Sequence, residues 1–206
     1  MNYKFYFRKS SFKKDINNAN LLLNIIERYK PVNFLEIGVL EGATSRNVCE
    51  LLNDINGGKF NYVGIDLFSG SNKNNEFTPI SVKISNPLQW VYFKLILRMN
   101  PNSKECVANL LKKFKNSINL YKGYSKNILQ QINLNKFDFV FLDGGHSYKT
   151  VKEDLELLRQ KLSNNSIIIC DDYNILQYGV KKAVDEIKDE FYYENHGRFA
   201  LLQIKK

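Results

Sequence analysis

Short apolar runs and amphipathic stretches alternate along most of this 206-residue chain. Residues 17–29 put Leu21, Leu22, Ile25 and Ile26 on one face of a helix that Pro31 closes. A buried strand ending in glycine follows at 32–38, then a helix at 44–52. The turn Asn56-Gly57-Gly58 leads into a strand over 61–66. Further on come a strand at 118–121, a helix at 126–132 and a strongly apolar strand at 137–142. Val151, Leu155, Leu158 and Leu162 form one stripe of a helix over 148–162, and residues 166–170 read as another wholly apolar strand. After a helix over 179–190, the chain ends in two antiparallel strands turning at Asn195-His196-Gly197.

Strands that are apolar on both faces and separated by helices imply a parallel sheet covered on both sides. The predicted fold is therefore α/β: a doubly wound, Rossmann-like, mostly parallel seven-stranded sheet with a C-terminal antiparallel hairpin. Residues 1–206 are read as one domain. Residues 67–117 break the alternation and are too long for a connecting loop. Helix-like pieces at 88–98 and 104–114, with Pro79, Pro87 and Pro101, mark them as a helical, lid-like insertion.

Charge adds a second pattern. The chain carries 30 Lys+Arg against 21 Asp+Glu, a net charge of +9. Residues 1–30 hold seven basic and two acidic side chains, and residues 67–122 hold nine and two. Residues 31–66 carry two and five, and residues 123–206 twelve of each, so the sheet-forming part is slightly acidic. Two readings stay open: codon bias in a chain rich in Asn, Lys and Ile, or an anionic partner. The basic N-terminal segment lacks the apolar core of a signal peptide. The longest apolar run, LQWVYFKLIL, is cut by Lys94, so no membrane span is expected. Cys49, Cys106 and Cys170 are odd in number and far apart, which excludes a disulfide scaffold or zinc ribbon. They point to a reducing, cytoplasmic setting.

Parallel sheets bind ligands beyond the carboxyl ends of their strands. The first strand runs into Glu36-Ile-Gly38-Val-Leu-Glu41-Gly42-Ala43-Thr44-Ser45, where two glycines four apart let the backbone turn and approach a ligand. The spacing is not G-x-G-x-x-G, which argues against a dinucleotide. The second strand ends in Asp66, where such folds place a carboxylate against a ribose diol; the competing reading is an acid that caps the following turn. Asp143 ends the fourth strand and Asp171-Asp172 the fifth, so adjacent strands would bring three carboxylates together. Without an internal cation they would repel one another; a hard divalent cation such as Mg²⁺ removes the conflict. The competing reading is an Asp-Gly turn at Asp143 and a turn or helix cap at Asp171-Asp172.

E-I-G-x-x-x-G followed by a strand-ending Asp resembles the S-adenosylmethionine site of class I methyltransferases. Gly123-Tyr124-Ser125-Lys126-Asn127-Ile128 resembles the segment after the third strand in catechol O-methyltransferase-like enzymes, with Ser125 near the adenine or simply capping the next helix. Residues 139–148, with Asp143-Gly144-Gly145-His146-Ser147-Tyr148, resemble a bacterial group that includes macrocin-type sugar O-methyltransferases. The resemblance implies cofactor contacts at Glu36, Gly38, Gly42, Thr44, Asp66, Ser125 and Asp143. It implies Mg²⁺ on Asp143, Asp171 and Asp172, and a homodimer as a frequent assembly.

Methyl transfer from a sulfonium needs an aligned oxygen and a base for its proton. His146, three residues past Asp143, is the candidate base; the competing reading is a residue at the start of the next helix that contacts cofactor, with the metal alone activating the hydroxyl. Sugar O-methyltransferases often carry a second Asp two residues after the metal-binding one; this chain has Gly145 there. Trp90, Tyr92 and Phe93 in the insertion, with Lys83, Lys94 and Arg98 nearby, are either a candidate surface for an anionic small molecule or saccharide or the core of a lid with solvated lysines around it. An RNA methyltransferase would suit the +9 charge, but no RNA-binding module or base-methylation motif accompanies it. A binding protein that has lost catalysis is the third reading, and three retained strand-end acids argue against it.

Overall fold

The computed structural model describes residues 1–68 and 84–205. A 3₁₀ turn at Ser11–Lys14 leads into α1 (Ile16–Tyr29), capped by the Asp15 carboxylate, which accepts from Asn18 N–H at 3.2 Å. The chain continues through β1 (Asn33–Ile37), α2 (Ala43–Ile55) and β2 (Asn61–Asp66). The described part of the insertion holds α3 (Pro87–Trp90), a π-helical turn at Val91–Ile96, and α4 (Lys104–Leu110). Then come β3 (Ile118–Lys122), α5 (Ser125–Gln131), β4 (Phe139–Leu142), α6 (Tyr148–Lys161), β5 (Ile167–Cys170), α7 (Val180–Ile187), β6 (Phe191–His196) and β7 (Phe199–Ile204).

The strands form one seven-stranded sheet in the order β3-β2-β1-β4-β5-β7-β6. The pairs β1–β2, β1–β4, β2–β3 and β4–β5 are parallel, while β7 runs antiparallel to both β5 and β6. This is the doubly wound sheet that the alternation predicts. Side-chain alternation divides its core. Phe34 of β1, Tyr62 of β2 and Phe141 of β4 face α1, α2 and Val107 of α4. Leu35, Val63 and Val140 on the same strands face α5, α6 and α7. Strands β4 and β5 are wholly buried, which is why they read as uninterrupted apolar runs.

Strand order reverses between β1 and β4, and there the two strands leave the sheet side by side. Gly38, with φ +97°, follows β1; a Cβ on it would stand 2.0 Å from the Asp143 carbonyl oxygen. Only glycine fits that crossing. The helices expected at 88–98 and 104–114 are met by α3 with its π-helical turn and by α4, while Pro79 and Lys83 lie outside the described residues.

Candidate active site

A cavity of about 740 Å³ opens over the carboxyl ends of the central strands. Its floor is the backbone after β1, including Gly38, and the chain after β4 from Asp143 to Ser147. Asp66, Ser125, Thr44, Asp172 and Arg198 contribute to its walls. Lys9, Ser10 and Ser11 of the N-terminal segment also reach it. Three non-glycine residues with left-handed backbone lie on its rim: Leu40 (φ +52°), Phe68 (φ +46°) and Asp172 (φ +57°). Such strained conformations gather where a site needs the backbone held in one arrangement.

One half of the site is held by backbone amides. Asp66 Oδ2 accepts from Val39 N at 2.8 Å and Leu40 N at 2.9 Å, and its Oδ1 accepts from Phe68 N at 2.7 Å. The acid that ends β2 thus fixes the loop that follows β1, leaving a lone pair on Oδ1 for a further donor. Ser125 is the first residue of α5 and not its cap; its hydroxyl donates to Asp154 Oδ2 at 2.7 Å. Burial pushes the Asp154 carboxyl up to about 7, with the Ser125 hydrogen bond opposing. Thr44 sits under the N-terminal segment, sharing a 3.0 Å hydrogen bond with the Tyr3 hydroxyl.

Two predicted cofactor residues do not line the cavity. Glu36 points from β1 to the α1/α2 face, is 1% exposed, and accepts from the Tyr62 hydroxyl at 2.6 Å. Burial raises its carboxyl to about 8, so it is largely neutral at pH 7. Gly42 caps the start of α2 at φ +78° and packs against Val107 and Leu110 of α4. Alternation along β1 explains Glu36: its neighbour Ile37 faces the opposite layer, and the polar loop begins only at Gly38.

The other half is ionic. Asp143, Asp171 and Asp172 each place an oxygen within 4.8 Å of the others. The convergence expected of three strand-end acids is present. Arg198, in the turn between β6 and β7, was not foreseen. Its Nε and Nη2 donate to Asp171 Oδ1 and Oδ2 at 2.5 and 2.6 Å, and Nη2 lies 3.0 Å from Asp172 Oδ1. The premise that the acids lack an internal cation therefore fails, because the C-terminal hairpin supplies one. Asp143 remains the strained member: burial, then Asp171 and Asp172, push its carboxyl well above the ordinary range against the opposing pull of Arg198. Asp172 is raised by burial first and then by Asp171, with Arg198 and His146 opposing. Hard oxygen donors and the tightness of the cluster fit a divalent cation in kind, with Asp143 and Asp172 Oδ2 the oxygens not bound to the guanidinium.

His146 stacks on Tyr178, ring centres 4.3 Å apart and 11° from parallel, with Nδ1 3.6 Å from Asp172 Oδ2. Gly145 has no room to be anything larger: a Cβ there would meet Thr150 Cγ2 at 2.5 Å. The missing second Asp is thus matched by the packing of α6. A Tyr-x-x-x-Lys pair, Tyr148 and Lys152, hydrogen-bonds at 2.9 Å but turns towards Glu186 and lines no part of the cavity.

The insertion contributes differently from expectation. Phe93 is buried beneath Arg8, whose guanidinium lies 4.7 Å from the ring centre and donates to Pro101 O at 3.1 Å. Trp90 and Tyr92 are partly exposed, and none of the three lines the cavity; among the described insertion residues Leu67, Phe68 and Asn102 do. The three cysteines are free and buried. No helix among the described residues is long and apolar enough to cross a membrane.

A family model described as a methyltransferase domain matches residues 35–173, which span β1 to the end of the acidic cluster. The chain belongs to this family of class I methyltransferases. It is an S-adenosylmethionine-dependent methyltransferase. The methyltransferase has the fold of NovP, an O-methyltransferase, at 18% identity and TM-score 0.62, covering 90% of this chain and 80% of that one. It is similar to CalS11, described as a TDP-rhamnose 3'-O-methyltransferase, at 18% identity and TM-score 0.61, covering 93% and 80%. TomG from Streptomyces achromogenes, an O-methyltransferase of tomaymycin synthesis solved with S-adenosylmethionine, matches at 14% identity and TM-score 0.61, covering 93% and 81%. No curated protein sequence matches the methyltransferase.

Proposed function

We propose that the methyltransferase transfers a methyl group to a hydroxyl of a small-molecule or saccharide acceptor, with a divalent cation, Mg²⁺, assisting, in the cytoplasm. The observation that carries this reading is the placement of Asp143, Asp172 and His146 in one cavity with Gly38 and Asp66. When bound, S-adenosylmethionine supplies a methyl activated on a sulfonium, and Mg²⁺ supplies positive charge that lowers a hydroxyl pKa.

The chain's own residues do the rest. Gly38 keeps the cavity floor free of a side chain, and the Asp66 Oδ1 lone pair and Ser125 are polar handles for the nucleoside. Asp143, Asp171 and Asp172 would hold the cation. With its Nδ1–H towards Asp172, His146 has Nε2 free to take the acceptor's proton, and Asp172 stabilises the resulting imidazolium. Tyr178 restrains the ring by stacking. Lys9 at the cavity wall suits an acceptor that carries phosphate or carboxylate.

Methyl transfer to a panel of sugar nucleotides and hydroxylated acids, with and without EDTA, tests this. Turnover that stops in EDTA and returns with Mg²⁺ is expected. Full activity in EDTA would remove the cation from the reading, and absence of thermal stabilisation by S-adenosylmethionine or its demethylated product would remove the cofactor. Cofactor binding without turnover on any acceptor would favour the inactive-binder alternative.

A further inference from the structure

Arg198 already holds the carboxylate that the cation would have to share. Both oxygens of Asp171, a carboxylate only 2% exposed, are taken by its fork at 2.5 and 2.6 Å. Asp171 Oδ1 accepts a third bond, from Asp172 N at 2.8 Å. The guanidinium lies 4.6 Å from the Phe12 ring centre, and the main chain that carries it is held where the Arg198 carbonyl accepts from Tyr173 N at 2.8 Å. A planar fork on a carboxylate is the strongest pairing an arginine makes, and its charge cannot be shed. A divalent cation on Asp143 and Asp172 would sit beside this fixed positive charge.

We propose that Arg198 is a positioning residue that acts as the internal counter-ion of the acidic cluster and competes with the divalent cation for Asp171. It keeps the metal-free cluster folded and sets the cation affinity low. A cation recruits all three carboxylates only as the guanidinium gives up Asp171. The inference rests on the divalent-cation part of the proposed function.

Mn²⁺ binding followed by the loss of the free-ion EPR signal, on the full chain without acceptor, tests it independently of turnover. Arg198→Gln should bind Mn²⁺ at least tenfold more tightly than the wild type. Arg198→Lys, which keeps a charge but loses the fork, should fall between them. Metal-free Arg198→Gln should melt lower than the wild type, and Mg²⁺ should raise its melting temperature more than it raises the wild type's, a rescue that a merely structural loss would not give. If Arg198→Gln does not fold, tighter binding by Arg198→Lys alone supports the inference, and unchanged binding overturns it. Wild type and variants binding Mn²⁺ equally, or the variants more weakly, overturns it while leaving the cation reading intact. No binding by any of them at millimolar Mn²⁺ removes the cation and the competition together.

Discussion

The two halves of the cavity are built on different principles. On the β1–β2 side, a carboxylate meets three backbone amides within 27 residues of chain, and the parts are a glycine, a turn and an acid at a strand end. On the β4–β5 side, three carboxylates are compensated by an arginine that arrives from a hairpin after the last helix. Backbone amides are fixed by the fold and neutral; a guanidinium is a whole charge on a movable stem. The first half is therefore a rigid cradle, and the second is an electrostatic balance that a ligand can tip.

Substitution at Gly38 should break both halves at once, because it sits where they cross. Gly38→Ala combines φ +97° with a contact of 2.0 Å to the Asp143 carbonyl. A loss of roughly 3 kcal/mol or more is expected, seen as poor soluble yield or a collapsed melting temperature. Retention of wild-type stability and cofactor affinity would show that the crossing is looser than described.

Asp143→Asn separates the halves. Turnover should fall by about 100-fold or more, while cofactor binding by calorimetry stays within a few-fold. The metal-free protein should melt no lower than the wild type, since a carboxyl held above its ordinary range by burial and like charges is a cost in the folded state. Lost cofactor affinity with unchanged turnover would reverse the assignment of the two halves.

Glu36→Gln probes the layer beneath the cradle. Because burial raises the Glu36 carboxyl from 4.5 to about 8, the folded state binds the proton that the unfolded chain releases between those values. Its contribution to stability is thus full below pH 4.5 and lost as pH rises through about 8. Gln keeps the acceptor for Tyr62 and removes the titration. The variant should melt a few degrees above the wild type at pH 8.5 and close to it at pH 5. Parallel pH curves for the two proteins would mean that Glu36 is not neutral when folded.

The smallest effect is expected at Lys9, on the cavity wall. Lys9→Glu should raise the Michaelis constant for an anionic acceptor by about three- to tenfold and leave cofactor affinity unchanged. An unchanged constant for every acceptor would return the basic excess to codon usage.

Local pattern carried far in this chain, for physical reasons. The wholly buried β4 and β5 had to read as apolar runs, and the stripe of α6 as period 3.6, so element order and sheet class were legible in the amino-acid pattern. Gly38, Asp66 and the three acids were legible because doubly wound sheets deliver strand ends to one edge. Glu36 was misplaced by one step of the strand's alternation, which sends it beneath the cradle with Phe34. Of the insertion's aromatic trio only Phe93 joins a core, beneath Arg8, because apolar side chains next to basic ones serve a core as readily as a ligand; Trp90 and Tyr92 stay exposed.

The amino-acid sequence by itself determined the layers, the strand ends and the kinds of side chain gathered there, since these depend on local periodicity and on glycine where other residues clash. Only the tertiary structure decided which charge balances the acids. Asp171 and Arg198 stand 27 residues apart with α7 and β6 between them, and their pairing depends on β7 lying antiparallel beside β5. Nothing local in the turn marks Arg198 as different from the other basic residues; its partner is assigned by sheet topology alone.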